Sequence, residues 1–197
     1  MSRLPGRPRE FDTDAAIDSA LLVFRERGYH ATSIKELSDA TGLTAGSLYK
    51  AFGSKNGLFL AAFDRYTRTR SAALSQRTEA ARSGRDKIAA VLRFYAESSH
   101  GSEGIRGCLV VASATELAVF DEATAQYIKA AMQRTEQLLL ELVQEGQRDG
   151  SLSRALPTEQ TARNLFALLQ GYRVIGKKGL SEDEINSAVN AALSLLG

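Results

Sequence analysis

Apolar residues recur along this chain three and four positions apart, the spacing of a helix face, and almost never in strand-like alternation. From Asp14 to Gly28 the stripe is Ile17, Ala20, Leu21 and Phe24, with Asp12 or Thr13 placed to cap the helix and Gly28 to end it. A shorter pattern follows. Ile34, Leu37 and Ser38 share a face, Ser33 and Glu36 form a capping-box pair, and Gly42 can take the left-handed conformation that stops a helix. Thr44 then caps a second short helix with Leu48 and Phe52 turned inward. Two short helices joined by a tight, Gly-containing turn predict a helix-turn-helix, whose second helix can lie in a DNA major groove. The first helix braces this pair into a three-helix head, with Tyr29 packed beneath it.

The rest of the chain continues the helical pattern. A long helix is predicted from about Ser54 to Ala81, carrying Arg65, Arg68 and Arg70 on a solvated face, and Ser83-Gly84 breaks it. A helix from Asp86 to Ser98 points Ile88, Val91, Leu92 and Tyr95 inward, and His100 to Gly104 reads as a loop. Arg106 to Phe120 is almost wholly apolar or small, which predicts a helix buried on most sides. Asp121 caps a long helix ending near Gly150, Thr158 opens another through to Gly176, and Ser181 opens the last. The expected fold is all-α, in three parts: a basic arm over residues 1–10, the helix-turn-helix head over 11–56 and a larger helical domain over 57–197.

Composition narrows the picture modestly. At 197 residues with 44% hydrophobic and 24% charged positions, the chain suits a globular protein able to bury a core. A formal charge of +2 announces no nucleic-acid partner, and residues 1–60 hold eight Lys/Arg against seven Asp/Glu, so a DNA-binding argument rests on placement. The placement is suggestive in the arm, where Pro8 extends the backbone between Arg7 and Arg9, and arginines so presented can enter a narrow minor groove. Lys55 falls in the first turn of the long helix, where the macrodipole disfavours a cation unless an anion such as a DNA phosphate sits at that N-terminus. No signal segment opens the chain and no run of ~18 apolar residues could span a bilayer, which predicts a soluble protein. A single Cys fits the reduced cytoplasm, and with two scattered histidines it makes no metal site, so no metal or cofactor is expected.

Thr32-Ser33-Ile34, Leu37, Gly42-Leu43-Thr44, Gly46, Leu48-Tyr49, Phe52 and Ser54-Lys55, taken in register, resemble the head of the TetR/AcrR family of bacterial transcriptional regulators over about residues 10–60. The resemblance implies a homodimeric, all-helical regulator, usually a repressor, whose C-terminal domain binds a small molecule and releases operator DNA. It implies phosphate contacts from Thr32 or Ser33, from Tyr49 and from Lys55. Thr44, Ala45, Gly46 and Ser47 would face the groove, with Ala45 and Ser47 nearest the base edges. Side chains this small offer few hydrogen bonds, so thymine-methyl contacts, DNA shape and water would carry much of the specificity. Two positions depart from the pattern. Ala51 stands where many members have a phosphate-contacting His, a role Lys50 next door can take, and Asn56 stands where many have Glu.

In the family's architecture the effector pocket would be lined by Tyr95, Cys108, Val111, Thr115, Glu116, Phe120, Tyr127, Met132, Phe166 and Gln170, apolar walls with a few polar groups. The last two helices would form the dimer contact through Leu165, Leu169, Tyr172, Ile185, Val189, Ala192 and Leu196. Gly107-Cys108-Leu109 resembles a segment in which some family members sense electrophiles or oxidants, the basis of an alternative reading as a thiol sensor. Its apolar neighbours Leu109, Val110 and Val111 raise a thiol's pKa, and Arg106, Lys177 or Lys178 would lower it if the fold brought one close. Two further classes compete: a ligand-binding helical protein without DNA, and an enzyme using Cys108 as nucleophile, which needs a base within reach. The chain is expected not to be an enzyme.

Overall fold

The structure, a computed structural model, describes residues 12–197, and the arm with Arg7 and Arg9 lies outside the described residues. Ten α-helices follow one another among these: α1 (Thr13–Arg27), α2 (Ile34–Thr41), α3 (Ala45–Phe52), α4 (Lys55–Glu79), α5 (Gly84–Glu97), α6 (Gly101–Arg106), α7 (Leu109–Thr115), α8 (Glu122–Asp149), α9 (Thr158–Ile175) and α10 (Glu182–Ser194). Short 3-10 turns at Leu117–Val119 and Gly176–Lys178 complete the order, and no strand occurs among the described residues.

Local chemistry fixes most of the boundaries. Asp12 Oδ1 accepts the amides of Asp14 and Ala15 at 3.0 and 3.1 Å, satisfying donors that the first turn of α1 leaves free. Ser33 and Glu36 form the expected reciprocal box, and the same device recurs at Ser181 and Glu184 on α10. Gly42 ends α2 at φ 68°, a left-handed position that makes the sharp turn into α3 possible.

Two hydrophobic cores share α4. Its first half brings Leu58, Phe59, Ala62 and Phe63 into a core with Phe24 of α1, Leu37 of α2 and Leu48 of α3, closed from the other side by Leu109 and Ile128. Its second half delivers Leu74 to the core of the larger domain, where α5, α8, α9 and α10 contribute Leu92, Leu139, Leu169 and Val189. The expected boundary at residue 57 thus falls in the first turn of a helix that runs without interruption from one core to the other. Where α5 meets α8, Gly84 and Gly146 permit backbone approach so close that a Cβ on Gly84 would lie 2.1 Å from the Gly146 nitrogen.

Four expectations fail in the larger domain. Residues His100 to Gly104 are not a loop, because α6 starts at Gly101, and the expected helix from Arg106 to Phe120 is broken at Gly107, at φ 85°, and again after Thr115. Arg70 is half-buried, stacked 4.5 Å above the Phe94 ring, while Arg65 pairs with Asp18 as a surface arginine would. Leu165, Leu169, Tyr172, Ile185, Val189, Ala192 and Leu196 are all buried inside the monomer, each at most 4% exposed, so they cannot form a contact between subunits. An apolar stripe at helical spacing serves a core or an interface equally well, and here α9 and α10 spend theirs against α5 and α8.

Candidate nucleic-acid interface and effector cavity

The outer surface of the head is α3. Leu48 anchors it at 2% exposure, and the residues around that anchor point outward: Thr44, Ala45, Gly46, Tyr49 and Lys50 are exposed and Ser47 is half-buried. Thr44 caps the helix by accepting the Ser47 amide at 3.2 Å, and the two hydroxyls lie 3.0 Å apart. Tyr49 is 48% exposed, a large amphipathic side chain that folding alone leaves in water. With Lys50 beside it and no acidic side chain on α3, the helix presents a neutral-to-basic face of small groups, flanked by one aromatic hydroxyl and one cation.

At the start of α2 the picture is more constrained. Ser33 is exposed, but its hydroxyl donates to Glu36 at 2.9 Å, and Arg27 pairs with the same carboxylate at 2.6 Å. The Ser33 amide and hydroxyl hold the Glu36 carboxyl below the usual carboxylate range. Thr32 corrects one expectation: it is 1% exposed and donates its hydroxyl to the Gly28 carbonyl at 2.6 Å, so its side chain fastens the α1–α2 turn rather than reaching outward. Lys55 is likewise engaged within the free protein. Its ammonium donates to the Tyr29 and Thr32 carbonyls, each at 2.9 Å, and lies 4.3 Å from the Tyr29 ring centre. The helix N-terminus that repels this cation is capped by Ser54, and the lysine folds back onto carbonyls instead, so it braces the head.

Besides surface pairs such as Arg65–Asp18 and Arg106–Glu26, three ties join the head to the larger domain. The Glu116 carboxylate accepts the amides of Tyr29 at 2.8 Å and His30 at 3.4 Å. The Asn56 amide donates to Asp121 at 3.0 Å and to Thr124 at 2.9 Å, which gives its departure from the family pattern a structural role at the start of α8. Arg25, buried at 6% exposure on α1, donates twice to the Gly107 carbonyl, at 3.1 and 2.7 Å, and to Glu103 at 2.8 Å. The same carbonyl accepts from Arg173 of α9 at 2.9 Å. Nothing in the sequence marks these ties, because the partners are 65 to 87 positions apart.

Cys108, the residue after Gly107, borders a cavity. Its volume is about 210 Å³, and its walls come from α4 (Tyr66, Arg70, Leu74), α5 (Phe94, Tyr95), α8 (Met132, Thr135, Leu138) and α9 (Phe166, Gln170), with Cys108 at the head of α7. Tyr95, Cys108, Met132, Phe166 and Gln170 thus line it, while the other half of the predicted pocket is elsewhere. The break at Gly107 reorients the segment that follows. Val111 packs against the head core, Thr115 is exposed, Glu116 turns to the head, and Phe120 stacks 4.5 Å from Tyr29. Tyr127 donates to Asp64 at 2.9 Å, outside the cavity wall. Tyr66 and Arg70 also line the cavity, and the sequence does not disclose them, since an arginine in a charged run on a long helix gives no sign of being turned inward.

Cys108 differs from expectation. Burial pushes its thiol up, but the Arg173 charge, the adjoining Tyr66 hydroxyl, the Val111 amide and Arg70 outweigh burial and leave it below the ordinary thiol value. Apolar neighbours in sequence do not decide the electrostatics; Arg173 of α9 does, helped by the Tyr66 hydroxyl, the Val111 amide and Arg70.

A capped, exposed second helix on a braced three-helix head, joined by one long helix to an all-helical domain with a cavity, defines a helix-turn-helix DNA-binding regulator. The comparisons agree. Residues 16–62 match the model of the tetR family of bacterial regulatory proteins, and residues 84–191 match that of the tetracyclin repressor-like C-terminal domain. The chain belongs to the TetR family of transcriptional regulators, a non-enzymatic DNA-binding family. It is similar to the transcriptional repressor ComR of Escherichia coli, 29% identical over 96% of this chain and 91% of that protein. It is also similar to the repressor BdcR of the same organism, 36% identical over 56% of each chain. A triple cysteine mutant of the TetR-family regulator CifR, solved with 26-bp operator DNA, superposes with a TM-score of 0.85 at 31% identity, covering 98% of this chain and 100% of that one. No helix among the described residues is long and apolar enough to cross a membrane.

Proposed function

We propose that this protein is a homodimeric repressor that binds a near-palindromic operator through α3 and leaves it when a small molecule fills the cavity behind α7. The observation carrying this reading is the Gly107 carbonyl, one residue before Cys108 on the cavity wall, gripped at once by Arg25 of the head and Arg173 of α9. A ligand that moves Cys108 or Arg173 pulls on the helix that carries the DNA-binding pair. The repressor role is supported by likeness to ComR and BdcR, and operator binding by likeness to CifR in its complex.

In the complex Ala45 and Ser47 lie nearest the base edges, Tyr49 and Lys50 contact phosphate, and the Ser33 hydroxyl contacts phosphate by leaving Glu36. Arg7 and Arg9 take the minor groove. The dimer face is the exposed side of the last helices. Ala167, Gly171 and Val174 follow one another along α9, the last 53% exposed, and Leu195 beyond α10 is 73% exposed. A Cβ on Gly171 would meet nothing within 4 Å, so a neighbouring helix can approach the backbone there.

A footprint of the purified protein on DNA from beside its own gene, combined with light scattering, tests the reading. Expected is a dimer protecting two half-sites about one DNA turn, ~34–36 Å, apart or a modest departure from that. A monomer without preference for any fragment removes it. The lowered Cys108 thiol favours a second reading, a sensor that reacts through sulfur, under which peroxide or a quinone releases wild-type protein but not Cys108→Ser.

A further inference from the structure

The cavity is not merely apolar space. Tyr66 is 6% exposed, and its hydroxyl has no hydrogen-bond partner in the protein; it adjoins the Cys108 sulfur outside hydrogen-bond geometry. Arg70 Nη2 is likewise buried without a partner, while its Nη1 donates to Ser98 at 3.1 Å. Three rings hold this guanidinium in place: its carbon lies 4.5 Å from the centre of Phe94, 5.4 Å from Tyr95 and 5.6 Å from Tyr66. Behind Cys108, Arg173 is 1% exposed, its Nε is unpartnered and its other nitrogens reach only the Gly107 carbonyl and the Ser99 hydroxyl. Among the described residues neither Arg70 nor Arg173 forms an ion pair, and the cavity wall holds no Asp or Glu.

A buried guanidinium without a counter-anion is costly, and a buried donor without an acceptor adds to that cost. Helix α4 places one such cation, Arg70, and one such hydroxyl, Tyr66, on the cavity wall, while Arg173 of α9 stands outside the wall, behind Cys108. The geometry points to a small organic carboxylate as the cavity's ligand, its oxygens on Arg70 Nη2 and the Tyr66 hydroxyl and its apolar body against Leu74, Leu138 and Phe166. A planar carboxylate matches the fork of a guanidinium, and the hydroxyl offers its second oxygen a donor. The volume of about 210 Å³ lies below that of drug-sized sites, which suits a single ring or a short chain. The inference rests on the effector reading above and gives that effector a charge.

The test uses the full-length protein with benzoate, 3-phenylpropionate and hexanoate, each beside its primary amide, by calorimetry and thermal melting. At least one carboxylate is expected to bind tenfold or more tighter than its amide, raising Tm by about 5–10 °C at a hundred times Kd. Arg70→Met should bring that acid and its amide within about twofold of each other. Tyr66→Phe keeps the ring and should weaken the acid alone by about fivefold, which preserves the test if the arginine variant misfolds. Amides that bind as well as acids, a preference that survives both substitutions, or binding by no acid at all would each overturn the inference. An operator gel-shift separates it from the reading beneath it. Acid that binds without releasing DNA leaves the anion site standing and removes effector control; a neutral compound that releases DNA while no acid binds does the reverse.

Discussion

The head and the cavity are built on opposite terms. In the head the capping groups and the charged groups turned inward have their partners, with only the neutral Ser38 Oγ and Asn56 Oδ1 buried without one among its described residues: Ser33 and Glu36 serve each other, Thr32 serves Gly28, and Lys55 serves two carbonyls. What it leaves in water is a face of small side chains with Tyr49 and Lys50, needing nothing further to hold its shape. The cavity leaves Tyr66, Arg70 and Arg173 with unpartnered buried atoms. A finished surface recognises by fitting a rigid partner, whereas an unfinished interior responds to whatever completes it. A ligand-controlled regulator needs one of each, and a tie between them.

The largest expected effect comes from breaking the finished side. Phe24→Ala removes a fully buried ring from the head core, with a cost of about 3–5 kcal/mol, and should abolish operator binding together with the head's share of the near-UV signal. Next is Tyr49→Ala, expected to weaken binding to every sequence alike by roughly tenfold without moving Tm. Lys50→Ala should lower the slope of log affinity against log salt by about one. A change in preferred base sequence from either would show that these residues read bases.

Smaller effects sharpen the comparison. Lys55→Met should lower Tm by a few degrees, since two buried-facing carbonyls lose their donor, while the salt slope stays nearly unchanged. A fall of a full unit in that slope would return Lys55 to the phosphate backbone. Glu36 gives the mildest signature. Its carboxyl is held below its usual range, so its contribution to the head is fully present above the ordinary carboxylate pKa and is lost as pH falls through the lowered folded value. Acid melting followed by circular dichroism should therefore begin at lower pH in the wild type than in Ser33→Ala, which loses half of the box.

The contrast also explains what the sequence disclosed. Caps and turns are local chemistry, so Ser33 with Glu36, Gly42, Thr44, Ser54 and Asp121 announced the helices they bound, and the head could be read residue by residue. The cavity assembles from distant segments. Tyr66 and Arg173 reach Cys108 only after α4 and α9 pack, and an arginine stacked on Phe94 has the same sequence context as one in water. The stripes on α9 and α10 are apolar as their spacing predicts but pack against α5 and α8, since periodicity gives a face and not its partner. Thr32 and Lys55 were placed by resemblance at a DNA contact, where the free protein uses them to hold its own turn.

Under the proposed function, the state of the cavity sets the state of the head. Thr135→Phe tests it without knowledge of the ligand, because Thr135 lines the cavity and a phenyl ring fits inside about 210 Å³. Operator affinity of this variant and of wild type is measured by fluorescence anisotropy, with Tm as the control for folding. Expected is a melting temperature within a few degrees of wild type and an operator affinity lower by about 5–150-fold, the usual span of coupling between two sites. A folded variant that binds operator as wild type does would contradict the claim, and the cavity would then be packing space unconnected to DNA release.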